Sequence, residues 1–320
     1  MKVLVGPNIL GLEQGLPDLR RDYPQLAFAS CTEREALVEA IADADIYLGW
    51  LSRDVFLAAR HLKWIQSPSS GIDSYLAIPE LVGSDMLLTS ARGTHGACLA
   101  ESALGMILAF TRGIRDAALW QQRRVWAIHE MRGRLVELTG STLGIVGLGV
   151  AGRALARRAQ AFDMRIVAVD LCPADRPAYV AELWGLDQLG ELLRTSDYVV
   201  VTVPRTPQTR RLIGAEQLAL MKPGALLVGI SRGGVIDQVA LAEALRSGHL
   251  AAAALDVCDP EPLPADSELW DLDNLLITPH VAGGSQFERQ HILSIFGENL
   301  GRFLRGDLPL RNQIDKQRGF

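Results

Sequence analysis

Short apolar runs alternate with amphipathic segments along nearly the whole chain. Val3–Val5, Leu26–Ala29, Ile46–Leu48 and Trp64–Gln66 read as strands, with helices over Glu33–Ile41 and Asp54–Ala59 between them. Thr32 is placed to cap the first of these helices, with Glu35 as its capping-box partner. A helical segment from about Leu99 to Phe110 precedes a second from about Arg112 to Trp126. Strands follow at Thr142–Val146, Ile166–Val169, Tyr198–Val201, Ala225–Val228, Ala251–Leu255 and Leu275–Ile277, then a long amphipathic helix over Gln286–Leu304. Strand and helix in alternation predict parallel sheets covered by helices.

One feature breaks the uniformity of this pattern. A glycine-rich turn, Gly147-Leu148-Gly149-Val150-Ala151-Gly152, falls in the middle of the chain. A cofactor domain inserted into a second domain explains that position. The predicted architecture is α/β, with two doubly wound parallel sheets. A Rossmann domain over 99–284 is inserted into a flavodoxin-like substrate domain made of 1–98 plus 285–320. The crossings are expected near Cys98–Ala100 and Gly283–Gln286.

A length of 320 residues suits two domains of ordinary size or one large α/β domain, and 48% hydrophobic with 22% charged residues is normal for a globular protein. A net charge of -5 gives nucleic acid no basic face, so no nucleic-acid partner is expected. Cys31, Cys98, Cys172 and Cys258 form no CxxC pair, which argues against a metal site or disulfide framework and for reduced thiols in a cytoplasmic protein. Met1–Gly6 reads as a strand and not as a signal peptide, and no apolar stretch is long enough to span a bilayer.

The glycine turn fits G-x-G-x-x-G in its required setting. A strand precedes it, and Arg153-Ala154-Leu155-Ala156 opens a helix after it. The first glycine makes the turn, the second admits the pyrophosphate and the third lets helix and strand pack closely. The next strand ends in Asp170, 23 residues after Gly147, where a carboxylate accepts from the adenosine ribose hydroxyls and repels a 2′-phosphate. NAD is therefore expected over NADP, with nearby Arg176 pulling slightly the other way.

Three residues past the ends of later strands form a candidate catalytic group: Arg232 in Ser231-Arg232-Gly233-Gly234, Glu261 in Asp259-Pro260-Glu261-Pro262, and His280 in Thr278-Pro279-His280. Ligands bind at that edge of an open α/β sheet. Arginine offers a planar fork for a carboxylate, histidine carries a proton near neutral pH, and a carboxylate beside the imidazole fixes its orientation. Taken singly, each has a plainer reading: a surface ion pair, a solvated turn, a structural histidine.

Together with Met221-Lys222-Pro223-Gly224-Ala225, Val235-Ile236-Asp237 and Leu255-Asp256-Val257, these motifs make the chain similar to the D-isomer-specific 2-hydroxyacid dehydrogenase family, most specifically from Gly140 to Gly284. The resemblance implies that Arg232 binds the substrate carboxylate, His280 exchanges the proton and Glu261 pairs with His280. It implies cofactor contacts at Thr94, Gly147 to Gly152, Asp170, Val203, Pro204, Thr209, Ile230, Ser231, Arg232, Asp256, His280 and Gly283, with Asp256 holding the nicotinamide carboxamide. In the first domain Ser70, Gly71 and Ile72 match the loop whose backbone amides receive the substrate carboxylate. Thr202, Cys258 and Cys98 depart from the family pattern without removing a catalytic group.

Substrate choice is expected around Trp50, read either as a pocket wall or as core. Phosphoglycerate-handling relatives tend to carry arginines just after this strand. Here Gly49, Trp50 and Leu51 stand there, with only Arg53 following, so small acids such as glyoxylate or hydroxypyruvate are expected. The alternatives are a 3-phosphoglycerate dehydrogenase-like enzyme and a non-catalytic, corepressor-like NAD-binding scaffold. Glutamate at 261 speaks against formate dehydrogenase, which has glutamine at the matching position. The short segment after the last helix leads to the expectation of no appended regulatory domain. The resemblance also implies a homodimer, with Leu119–Leu138 as the candidate contact.

Overall fold

In the computed structural model, which describes residues 1–319, contacts divide the chain into two compact units. One combines Met1–His95 with the chain from Ser285 onward; the other is Gly96–Gly284. The outgoing crossing lies a few residues ahead of the expected Cys98, because the long helix already begins at Gly96 and runs to Thr111.

The smaller unit holds five parallel strands: β1 (Lys2–Val5), β2 (Ala27–Ser30), β3 (Ile46–Leu48), β4 (Trp64–Gln66) and β5 (Leu87–Thr89). Their order is β2-β1-β3-β4-β5, that of a flavodoxin-like sheet. Successive side chains along a strand point to opposite faces, and here both faces are covered. Leu4 and Tyr47 enter one apolar cluster; Val3, Val5, Ile46 and Leu48 enter the other.

The helix Glu288–Arg305 packs on the second of these clusters through Ile292, Phe296 and Leu300. The rings of Phe296 and Phe303 lie 5.3 and 5.5 Å from that of Trp64. Beneath them the Trp64 indole donates to Thr89 (2.8 Å), whose hydroxyl donates to Gln66 (2.7 Å). The Gln66 oxygen also accepts from Asn299 on the returning helix. This satisfied polar chain fixes where the helix sits.

The helix expected over Glu33–Ile41 is confined to Leu37–Ala40. Only Leu37 and Ile41 are buried there, too little apolar surface to hold a longer helix. Ala36 is the N-cap and Thr32 meets only the Glu33 side chain at 3.5 Å, so the expected capping box is absent.

The larger unit holds seven parallel strands: β6 (Thr142–Val146), β7 (Arg165–Val169), β8 (Glu182–Trp184), β9 (Tyr198–Val201), β10 (Leu226–Gly229), β11 (Ala252–Leu255) and β12 (Leu275–Ile277). They run β8-β7-β6-β9-β10-β11-β12, the doubly wound Rossmann order with one strand added at the end. Leu143, Ile145, Tyr198 and Val200 fill one face; Val146, Val199 and Val201 fill the other. Strand order reverses between β6 and β9, which is where such sheets open a ligand crevice at their carboxyl ends.

The helix Gly96–Thr111 buries Ala100, Ala103, Met106 and Ile107 against this sheet. Among the described residues no single helix is long and apolar enough to cross a membrane. The second helix expected here, about Arg112 to Trp126, is found over Ile114–Gln122, and a further short helix, Ile128–Arg132, follows beyond it; neither buries a residue.

Candidate active site

The cofactor side of the larger unit is built at the β6–β9 junction. Gly147 leaves β6 with φ +100°, a conformation L side chains rarely adopt. A Cβ on Gly152 would lie 2.1 Å from the Gly147 carbonyl oxygen, so only glycine lets the helix Val150–Ala159 approach the strand this closely. Gly149 is the opposite case: a Cβ there would meet nothing within 4 Å. That space borders a helix N-terminus that no side chain caps, leaving first-turn N–H groups to receive an anion.

Asp170, at the end of β7, accepts from the Leu148 N–H (2.7 Å) and the Cys172 N–H (3.0 Å). Each carboxylate oxygen keeps a lone pair for a ribose hydroxyl. The Arg176 guanidinium donates to the carbonyls of Val180 and Ala181. Thr202 donates to the Gly147 carbonyl at 2.6 Å and braces the glycine turn from β9. Thr209 is buried and donates to the Pro204 carbonyl at 2.6 Å, closing the loop after β9 that holds Val203 and Pro204. The open space, the uncapped helix and the ribose-side carboxylate together fit a dinucleotide.

On the other flank, β10, β11 and β12 deliver the three catalytic candidates. Ile230 is buried and leads into the Ser231–Gly234 turn. A Cβ on Gly233 would lie 1.7 Å from the Cys258 carbonyl oxygen, so this turn sits directly against the segment leading to Glu261. Half-buried Arg232 donates to the Ser231 carbonyl at 2.6 Å.

Glu261 uses one oxygen to accept from the Cys258 N–H (2.9 Å) and the other to meet His280 Nδ1 at 2.8 Å. A carboxylate only accepts, so Nδ1 carries the hydrogen and Nε2 is left to exchange a proton with a ligand. The two side chains are 48% and 37% exposed, so the pair contributes orientation far more than stability. Burial, followed by the charges of Glu261 and Asp256, pushes the Cys258 thiol up to about 11, which makes it a packing residue and not a nucleophile.

His280 itself has φ +54°. For a residue with a Cβ this costs about 1–2 kcal/mol. The stabilising group is Asp256, 2% exposed. Its carboxylate accepts from Thr278 Oγ1 (2.6 Å) and from the N–H groups of Val281 (2.9 Å) and Ala282 (3.0 Å), while its carbonyl accepts from the His280 N–H (2.8 Å). Gly283 follows directly in the same turn.

The remaining candidates, Trp50, Ser70, Gly71, Ile72 and Thr94, belong to the smaller unit. Trp50 is 39% exposed, which removes the reading of it as core; its carbonyl accepts from the buried Tyr47 hydroxyl at 2.8 Å. In the turn after β4 the Gly71 N–H is spent on Ser69 Oγ (3.1 Å). The N–H groups of Ser70 and Ile72 have no hydrogen-bond partner among the described residues and remain to receive an anion. Thr94 is buried and donates to the Ala91 carbonyl (2.8 Å).

Two residues of this unit carry no motif in the sequence: His95 and Glu288, which bond to one another, His95 bonding also to Ser70. They lie 193 residues apart, so no local spacing connects them. The signal available was a lone histidine one residue after Thr94.

Residues 104–282 match the family model described as the NAD binding domain of D-isomer specific 2-hydroxyacid dehydrogenase. The chain belongs to the D-isomer specific 2-hydroxyacid dehydrogenase family. Within that family it is 36% identical over 291 residues to a D-3-phosphoglycerate dehydrogenase of Methanocaldococcus jannaschii, covering 89% of this chain and 54% of the relative. It is 35% identical over 284 residues to a glyoxylate reductase of Korarchaeum cryptofilum, covering 86% of this chain and 84% of the relative. The chain thus spans about half the length of the first relative and most of the second. A solved structure of a family protein from Aeromonas salmonicida subsp. salmonicida A449 superimposes with a TM-score of 0.88 at 30% identity, covering 98% of each chain. Both named relatives are oxidoreductases acting on a CH–OH group, and the NAD binding domain of the family is the larger unit described above.

The two glycines should separate folding from cofactor binding. Gly152→Ala is expected to lower the melting temperature, because its methyl would overlap backbone. Gly149→Ala should leave melting unchanged and weaken NADH binding by about tenfold or more, read by nucleotide fluorescence. Equal NADH affinity in Gly149→Ala and wild type would contradict this assignment.

Proposed function

We propose that the protein reduces a small 2-keto acid with NADH, glyoxylate or hydroxypyruvate being the best candidates, and catalyses the reverse oxidation. The observation that carries the reaction class is the Glu261–His280 pair at 2.8 Å, past the carboxyl edge of the sheet that carries the dinucleotide turn. Bound NADH supplies the hydride that goes to the substrate C2. In the reduction His280 reacts as the imidazolium: with Nδ1–H held toward Glu261 it gives its Nε2 proton to the carbonyl oxygen as the bond order falls and is left as the neutral Nδ1–H imidazole, which takes the proton back in the oxidation. Arg232 grips the substrate carboxylate through its planar fork and keeps the carbonyl in reach of His280. Asp256 keeps the His280 backbone in place and, on the family resemblance, also meets the nicotinamide carboxamide. Ser70, Gly71 and Ile72 match, on the family resemblance, the loop that receives the substrate carboxylate as a second contact; Ser70 and Ile72 have the amides to spare.

The preference for a small acid rests on Arg53. Its guanidinium forks onto the Glu80 carboxylate, with Nε 3.0 and 3.1 Å from the two oxygens. An arginine already neutralised in this way is a poor phosphate holder, and Gly49, Trp50 and Leu51 add no charge. NAD is favoured over NADP because Asp170 stands at the strand end that the glycine fingerprint assigns to the ribose-binding acid, and because Arg176 is tied to backbone carbonyls. A cytoplasmic location belongs to the same proposal and agrees with four free cysteines.

The partner we infer is a second copy of this chain. Trp126 is 91% exposed, and Leu119, Val125, Ile128, Leu135 and Val136 are exposed along the same segment. A group of large apolar side chains of this kind marks an interaction surface. Light scattering on the eluting protein is expected to give the mass of a dimer, and Trp126→Glu that of a monomer. A monomeric wild type would contradict the dimer.

The chemistry is tested by following NADH absorbance with glyoxylate, hydroxypyruvate, pyruvate and 3-phosphohydroxypyruvate. Glyoxylate or hydroxypyruvate should give the highest kcat/KM, and NADH should outperform NADPH. His280→Ala should lower kcat by about 10²–10⁴-fold. Arg232→Ala should lower kcat/KM by about 10²-fold or more. A higher kcat/KM for 3-phosphohydroxypyruvate would move the assignment to the phosphorylated substrate. NADH binding without turnover of any acid would move it to a scaffold.

A further inference from the structure

The smaller unit contains a hydrogen-bonded chain that the reaction described above does not use. His95 is the last residue of the unit's outgoing segment, and Glu288 lies just past Ser285, where the chain returns to it. The two side chains are only 13% and 21% exposed, and His95 Nε2 meets Glu288 Oε1 at 3.1 Å. On the other side of the ring, Nδ1 lies 2.8 Å from Ser70 Oγ and 2.9 Å from Thr94 Oγ1. Both hydroxyls also reach the Ala91 carbonyl, at 3.2 and 2.8 Å, and the Ala91 N–H donates to the Ser69 carbonyl at 3.0 Å. Three separate segments, 69–70, 91–95 and 288, are thereby joined through one imidazole.

The Ser70 hydroxyl is gripped from two sides, by the Ala91 carbonyl and by His95 Nδ1. Whichever of Ser70 and His95 supplies the hydrogen between them, the serine rotamer and the adjoining peptide planes are fixed. The first of those planes carries the Ser70 N–H and the second the Gly71 N–H, which is tied back to Ser69 Oγ (3.1 Å), so the next peptide, with the Ile72 N–H, starts from a fixed position; the Ser70 and Ile72 N–H groups are the two amides of the turn left for a ligand. An amide pair held in advance binds an anion better than one that must be ordered on binding.

We propose that His95 is a positioning residue for the carboxylate-receiving turn: anchored at Nε2 by Glu288, it uses Nδ1 to lock Ser70 and so presets the Ser70 and Ile72 amides for the carboxylate of a 2-keto acid. This rests on the reading of that turn as the second carboxylate contact. It assigns His95 no proton transfer, and its effect falls on substrate affinity.

Two substitutions separate positioning from general structural support. An Asn side chain places its amide as many bonds from Cα as His Nδ1, and a Gln side chain as many as Nε2. His95→Asn therefore keeps a group at Ser70 and gives up Glu288, whereas His95→Gln does the reverse. The expected result is a KM for glyoxylate raised about tenfold in His95→Gln and Ser70→Ala but within about threefold of wild type in His95→Asn, with smaller changes in kcat.

Binding of oxalate to the NAD-loaded protein, measured by calorimetry, should follow the same order. That second readout separates this inference from the proposed reaction. If the wild type reduces no 2-keto acid, the reaction fails, while oxalate binding weakened in Ser70→Ala and His95→Gln but not in His95→Asn still supports the positioning role. Equal effects of the Asn and Gln substitutions, a Ser70→Ala variant with wild-type KM and oxalate affinity, or a wild type that binds no oxalate would overturn it.

Discussion

The catalytic edge depends on a single buried carboxylate. Asp256 sits at the end of β11, and its side chain accepts three hydrogen bonds from the turn that follows β12. Hydrogen bonds to an ionised acceptor are worth roughly 1.5–3 kcal/mol each, enough to offset the left-handed backbone of His280 and much of the cost of burying the group. Without this clamp the histidine has no reason to hold φ +54°, and an extended residue there would carry the imidazole away from Glu261. The strained position is thus part of how the His280 imidazole, the proton donor of the proposed reaction, is held at Glu261.

The same economy governs the other flank. The β6–β9 reversal opens the sheet, Gly152 lets the helix close onto Gly147, and Asp170 holds the Leu148 N–H from the neighbouring strand. The first contact is backbone against backbone and the second joins backbone to a short polar side chain, so protein groups alone define the shape of the dinucleotide turn. The open position at Gly149 lies within this frame. Catalytic and cofactor candidates of the larger unit therefore share one scaffold, the carboxyl ends of its parallel strands.

Much of this was readable in the sequence because it depends on local chemistry. Strands buried on both faces, such as Tyr198–Val201, are uninterrupted apolar runs, and their limits were clear. The three-residue β5, in the short run Met86-Leu87-Leu88, and the half-exposed β8, which has no such run, were not anticipated. The helix around Leu37 failed as a prediction because capping residues and a few apolar positions do not make a helix without a surface to bury. The Glu261–His280 pairing was anticipated from order and residue type, whereas the dependence of His280 on Asp256 came only from backbone geometry. His95 and Glu288 stayed hidden because their contact exists only after the last helix returns to the first sheet.

In the proposed reaction Glu261 fixes the hydrogen of His280 on Nδ1 and leaves Nε2 to serve the substrate. Glu261→Gln tests this most directly, since the side chain keeps its shape but gains a donor that can accommodate the opposite tautomer. Steady-state reduction of glyoxylate by this variant, with NADH affinity measured alongside, is expected to show kcat lowered by about 10²-fold or more at unchanged NADH binding. A kcat within a factor of about two of wild type would contradict the role given to the pair.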